Sequence, residues 1–310
     1  MALLGKYEQS HVVVKFIQWL GCIFLLTIPA TGSVLLFPQP LSVTSLKWLQ
    51  LIQTAAMFLL PPLCMAFLWS KQPMEWLKLK TENGKLKTST WLLVVGIMLV
   101  ALPGINLLSY LNQQLSLPAC LEGLEQWMKA KEEAAGKLTE LFMQADTFGG
   151  LIINLLLMAL LPALSEEFTF RGVLQGLLSR ENGKICAEDS QTKIPHAAIW
   201  VTAILFSAIH MQFYGFVPRM LMGAMFGYAL AWTGSLWIPI LMHMTNNVMA
   251  VLMYYIATRA GWDMDKLDAI GTNDTLWLGV VSIVLTCVGI YVLRRSTTMS
   301  NASSRMSSGS

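Results

Sequence analysis

Long stretches without a single Asp, Glu, Lys or Arg dictate what this chain can become. The windows Phe16 to Phe37, Trp48 to Ser70 and Thr90 to Tyr110 each hold about the twenty mostly apolar residues that a helix needs to cross the hydrocarbon core of a bilayer. Further windows follow at Ala197 to Phe213 and Thr275 to Leu293. The stretch from Met220 to Thr258 is divided by Gly234 and Ser235 into two more. A last window, Phe148 to Leu178, is interrupted by Glu166, Glu167 and Arg171. The expectation is an all-α polytopic membrane protein of about eight transmembrane helices. Composition agrees: 55% of the 310 residues are hydrophobic and 13% charged, against roughly 25% charged in soluble domains.

The net charge of +3 comes from scattered Lys and Arg rather than a basic stripe, so no nucleic-acid partner is expected. Cys22, Cys64, Cys120, Cys186 and Cys287 form no CxxC pair, which argues against a disulfide framework or a zinc cluster. The first window reads as a transmembrane helix rather than a cleaved signal peptide. Lys and Arg concentrate in short loops at 71–89 (Lys71, Lys78, Lys80, Lys85, Lys87) and at 179–195 (Arg180, Lys184, Lys193), and again at Arg294 and Arg295. Residues 259–274 are net acidic. The positive-inside rule then puts both termini in the cytoplasm, and the expected location of this multi-pass chain is the inner (plasma) membrane.

Three regions follow. Residues 1–147 supply three transmembrane helices and an amphipathic, interfacial helix over Leu121 to Gln144. Residues 148–295 hold the remaining spans, and residues 296–310, rich in Ser and Thr, read as a disordered tail. Gly172 with Gly176, and Gly223 with Gly227, repeat at the spacing that lets membrane helices approach closely.

Charges inside a span demand a partner or a purpose. Glu167 and Arg171 are four apart, so on a helix Arg171 neutralises Glu167. Glu166 points about 100° away and has no basic residue at helical spacing. It is left to face an interior cavity, where a general base belongs. Pro162, four residues earlier, removes a backbone hydrogen bond and predicts a kink with local wetting. Phe206-Ser-Ala-Ile-His210 and His243-Met-Thr-Asn-Asn247 supply the other pieces. His243 and Asn247 share a face, where an imidazole and an amide could both donate to one oxygen. Phe206 reads as packing. At about 1.5 Å per residue, Glu166 and Asn247 lie roughly 18 Å from the cytoplasmic ends of their spans, His210 roughly 20 Å and His243 roughly 12 Å, so all four converge near mid-membrane.

EExxxR, FxxxH and HxxxN in that order on successive spans resemble the CAAX protease and bacteriocin-processing family of intramembrane glutamic endopeptidases. The resemblance covers roughly residues 148–258. It implies a catalytic core in residues 148–295, the last four to five helices. It also implies peptide-bond hydrolysis (EC 3.4) without a covalent intermediate or cofactor. By it Glu166 and His210 activate water, His243 and Asn247 stabilise the oxyanion, and Glu167 with Arg171 supports the site. The expected partners are the bilayer and a peptide or membrane-protein substrate.

Other readings compete. Ser165 and Thr245 lack a general base at helical spacing, which weakens a serine-type mechanism. Carboxylates and histidines are also zinc ligands, yet HExxH and HxxEH are absent and Arg171 opposes a cation beside Glu167. A zinc-dependent membrane protease is therefore an alternative, with no metal expected in the leading reading. A carrier would favour an inverted repeat, which the first four spans do not show. A non-catalytic scaffold would tolerate loss of Glu166.

Overall fold

A computed structural model describes residues 3–80, 86–181, 184–185 and 195–308. Lys85, Lys193 and Cys186 lie outside them. The helical runs, numbered in chain order, are α1 (Val12–Leu36), α2 (Val43–Trp69), α3 (Thr88–Gln113), α4 (Glu122–Met143), α5 (Phe148–Leu178), α6 (His196–Ala208), α7 (Phe216–Thr233), α8 (Trp237–Ala260) and α9 (Leu276–Ser308). A two-residue antiparallel pair, β1 (Arg180–Glu181) with β2 (Lys184–Ile185), follows α5.

The protein is an all-α, multi-pass membrane protein. Six runs are long and apolar enough to cross a bilayer, namely α1, α2, α3, α5, α8 and the segment Asn273–Thr298 that contains most of α9. The expected fifth span is only 13 residues long, about 20 Å, and forms a hairpin with α7. The break between α7 and α8 falls where the sequence puts it: Gly234, at φ 68°, ends α7 in the left-handed conformation that glycine adopts without strain. Ser42 and Thr147 cap α2 and α5 by accepting from Ser45 N and Gly150 N, each at 3.1 Å. The Ser- and Thr-rich segment read as a tail continues α9 as helix through Ser308, since no Pro or Gly interrupts it before Gly309.

Two long helices are not uniform. In α2 a π turn, Ala55–Leu59, precedes Pro61 and Pro62; in α5 another, Leu155–Leu160, precedes Pro162. The missing proline N–H is thus absorbed by a wider turn just before the ring. A third π turn, Phe168–Leu174, follows the two glutamates directly. Thr169 Oγ1 donates to Phe58 O at 2.8 Å, joining the π turns of α2 and α5.

Helix α9 lies along α3. At Pro103 the α3 ladder is opened, and Ser282 enters it, donating to Val100 O at 2.5 Å and accepting from Gly104 N at 2.9 Å. The turn before α9 seats Gly271, at φ 96°, on this kink, where an added Cβ would strike the Pro103 carbonyl. Gly271→Ala should therefore destabilise the protein by roughly 2 kcal/mol or more. Gly21→Ala, whose Cβ meets nothing within 4 Å, should leave the thermal midpoint in detergent unchanged. Equal midpoints for the two variants would contradict this seating.

Of the four glycines expected at close helix contacts, three have neighbours. Gly172 faces Leu77, Gly223 faces Arg171 and Phe206, and Gly227 faces Gln175 and Ile199, whereas a Cβ on Gly176 would meet nothing within 4 Å. Gly176 falls in α5 where no partner helix approaches it closely enough to need a glycine.

Candidate active site

Glu166 and Glu167 end an α-helical segment of α5, just before the second of its two π turns. Glu167 is fully buried and makes two contacts through one oxygen. Its Oε1 accepts from Arg171 Nη1 at 2.8 Å and lies 2.9 Å from His243 Nδ1 on α8. The Glu167–Arg171 pairing that four-residue spacing predicts is present. The His243 contact is a second task that spacing within one helix could not reveal.

Arg171 is held from three sides. Besides Glu167, Nη2 donates to Gly223 O at 2.9 Å, and the guanidinium stacks 4.4 Å from the Phe206 ring and 5.4 Å from the Phe226 ring. A flat, delocalised cation suits this slot better than an ammonium does. Phe206 packs, as expected, and it packs inside the site: its edge contacts reach the rings of His210 at 5.2 Å and His243 at 5.8 Å. Phe226 stacks on His243 from the other side, with 5.5 Å between centroids.

His210 is not a residue of the α6 helix proper, which ends at Ala208. It sits in the following turn and uses Nδ1 to donate to Phe206 O at 2.8 Å, so the imidazole caps the helix end. The turn closes with Met211 at φ 53°. A carbonyl only accepts, so His210 carries its proton on Nδ1. His243 does the same toward the Arg171-paired carboxylate of Glu167. With Nδ1 so engaged, both rings turn Nε2 toward Glu166, and both Nε2 atoms lie 3.9 Å from Glu166 Oε2. That oxygen is buried with no hydrogen-bond partner among the described residues. Separations of 3.9 Å are too long for direct hydrogen bonds and leave room for one oxygen between the three groups.

The structure brings Glu166, His210 and His243 to one point and attaches Glu167 and Arg171 behind it. Asn247 lies one turn beyond His243 on α8 and accepts from Asn246 Nδ2 at 3.3 Å through Oδ1, which directs its own Nδ2 elsewhere. Among the described residues no hydrogen bond joins Asn247 to Glu166, His210 or His243. Side-chain exposure is 15% for Glu166, 9% for His243 and 27% for His210, so the point is reached from the His210 side. There the turn from Ile209 to Gly215 is pinned by Asn112, whose Nδ2 donates to Phe213 O at 2.9 Å and whose Oδ1 accepts from Val217 N at 3.3 Å. Helix α4 reaches the same turn: Glu132 Oε2 accepts from Tyr214 N at 3.2 Å and Trp127 packs 5.5 Å from Phe213.

The sequence reading leaves Arg219 unassigned because it falls at the edge of the charge-free stretch that starts at Met220. Its one signal there is a lone cation between two apolar segments, nine residues after His210. No group of three or more His, Cys, Asp or Glu among the described residues is arranged to hold a metal ion.

Residues 148–249 match a family described as type II CAAX prenyl endopeptidase, Rce1-like. This segment contains every residue named in the three motifs, and the chain thus carries an Rce1-like domain of the CAAX protease family. No curated protein and no solved structure matches the chain.

Proposed function

We propose, with the Rce1-like domain at residues 148–249 as premise, that this protein is an intramembrane endopeptidase that hydrolyses a peptide bond with a water activated by Glu166 and His210. The observation that carries this reading is the convergence of Glu166 Oε2 with two Nε2 atoms, each at 3.9 Å. A water placed there gives a proton to the carboxylate while its oxygen attacks the substrate carbonyl. The carbonyl electrons move to oxygen, and Asn247 Nδ2 is the side-chain donor on the same α8 face that stabilises it. His243, its ring held through Nδ1 by Glu167, is the second group set to stabilise that oxygen. Collapse of the adduct breaks the C–N bond, and the proton held by Glu166 passes to the departing amine. Glu167 and Arg171 fix the His243 ring and are positioning residues. The substrate is a peptide or membrane-anchored segment, with prenylated CAAX-type peptides the first to test. The inner membrane with both termini cytoplasmic is the orientation the Lys- and Arg-rich loops support.

Two Nε2 atoms and a carboxylate are also a zinc donor set. Ligands bound at about 2.0 Å in tetrahedral geometry lie roughly 3.3 Å apart, closer than the 3.9 Å found here. Detergent-purified protein should cleave a prenylated Cys-aliphatic-aliphatic-Xaa peptide, or members of a membrane-derived peptide library, at the same rate with and without a strong chelator. Loss of cleavage with chelator, restored by zinc, would replace the glutamic mechanism with a metal-dependent one.

A further inference from the structure

Arg219, in the first turns of α7, differs from Arg171 in how its charge is met. Arg171 has Glu167 at 2.8 Å, whereas no carboxylate lies within 4.0 Å of Arg219 among the described residues. Its hydrogen bonds go to a neutral partner, from Nη2 to Gln212 Oε1 at 2.6 Å and from Nη1 to Gln212 O at 3.5 Å. Glutamine orients the guanidinium without neutralising it. Room for the group is built in: a Cβ on Gly215 would sit 3.2 Å from Arg219 Nη2. The turn that carries Gln212 and Gly215 is the one pinned by Asn112 and capped by His210. Glu132, the acidic group that α4 brings to this turn, uses Oε2 on Tyr214 N. The Arg219 charge also reaches Glu132, Glu166 and His210. A part-buried cation held in place beside that point, with Glu132 and Glu166 near it but no carboxylate in contact, is open to an arriving anion.

We infer that Arg219 is a recognition residue for a carboxylate of the peptide substrate, foremost its free C-terminal carboxylate. This rests on the peptidase reading above and adds to it a reason for cleavage near a chain end. A carboxylate on the guanidinium fork makes charge-assisted hydrogen bonds, and it fixes how far into the site the chain extends before the scissile bond meets Glu166. The competing account is that Arg219 merely straps the turn through Gln212, in which case the substrate's charge is immaterial.

Three probes separate these accounts. They are one prenylated Cys-aliphatic-aliphatic-Xaa peptide as the free acid, the same peptide as the C-terminal amide, and the amide with Glu as Xaa. kcat/KM is measured on the full detergent-purified chain, and affinity for the same probes is measured by fluorescence anisotropy on Glu166→Gln, which does not depend on turnover. The free acid should be preferred to the amide by roughly tenfold or more. Arg219→Gln should bring the ratio close to one, and Arg219→Lys should keep part of it. Recovery by the Glu-containing amide would assign the anion to a side chain instead of the terminus. Equal use of acid and amide by the wild type, or a preference that survives Arg219→Gln, overturns the inference. If no probe is cleaved yet Glu166→Gln binds the acid over the amide and loses that preference when Arg219→Gln is added, the peptidase reading fails and the carboxylate site stands. Binding without preference sinks both.

Discussion

Glu166→Gln should leave a folded protein whose peptide cleavage is lowered by roughly 10²–10⁴-fold. The substitution changes almost no volume, and Glu166 Oε2 has no hydrogen bond to lose among the described residues, so the packing around it stays satisfied. What disappears is the capacity to take a proton from water and return it to the amine. The effect belongs in kcat more than in KM, because in the proposed mechanism the side chain acts on the reacting atoms rather than on substrate binding. Single-turnover cleavage of one prenylated peptide, with a thermal midpoint on the same preparation, is the decisive pair of readings. An unchanged midpoint with near-wild-type turnover would remove Glu166 from the chemistry and revive the scaffold reading.

The opposite profile is expected of Arg171→Ala. Removing the guanidinium strands the Glu167 carboxylate in a fully buried place and leaves Gly223 O and the faces of Phe206 and Phe226 without their partner. Breaking one side of a buried ion pair costs roughly 3–5 kcal/mol. The thermal midpoint should fall well below that of Glu166→Gln, and activity should fall with it through loss of folded protein. Arg171→Lys keeps the charge but neither the fork nor the stacking, so it should recover only part of the difference. Identical midpoints for Arg171→Ala and Glu166→Gln would mean that Glu167 is neutral or otherwise satisfied, and the division of labour between the adjacent glutamates would be wrong.

Much of this site was legible in the sequence because membrane spans make polar residues conspicuous. Glu166, Glu167 and Arg171 stand out in an apolar run, and the four-residue interval correctly pairs Glu167 with Arg171. Pairings across helices were not legible. The contact from Glu167 to His243 joins residues 76 apart, and nothing in either helix announces it. His210 was assigned to a helix face through its spacing from Phe206, whereas it terminates that helix; an imidazole bonding four residues back satisfies the same interval in either case. Arg219 was hidden because a search for charge-free windows treats a flanking cation as a boundary. The shortness of α6 was hidden for the same reason, since apolar residues continue past the point where the helix stops.

The π turns of α5 alter how that span must be read. Each wide turn advances the chain with less rotation per residue than an α-helix, so the residues before Leu155, those between Leu160 and Phe168, and those after Leu174 do not share one angular phase. A helical wheel drawn over the whole of Phe148–Leu178 therefore blends three orientations into one, and its apolar face is an average that no part of the helix presents. Deleting one residue within Phe168–Leu174 would close the wide turn to an ordinary α turn and leave the segment beyond it close to its present orientation, because the wide turn accommodates one extra residue. The span is a set of short indexed sections, and Glu166 stands at a seam between two of them.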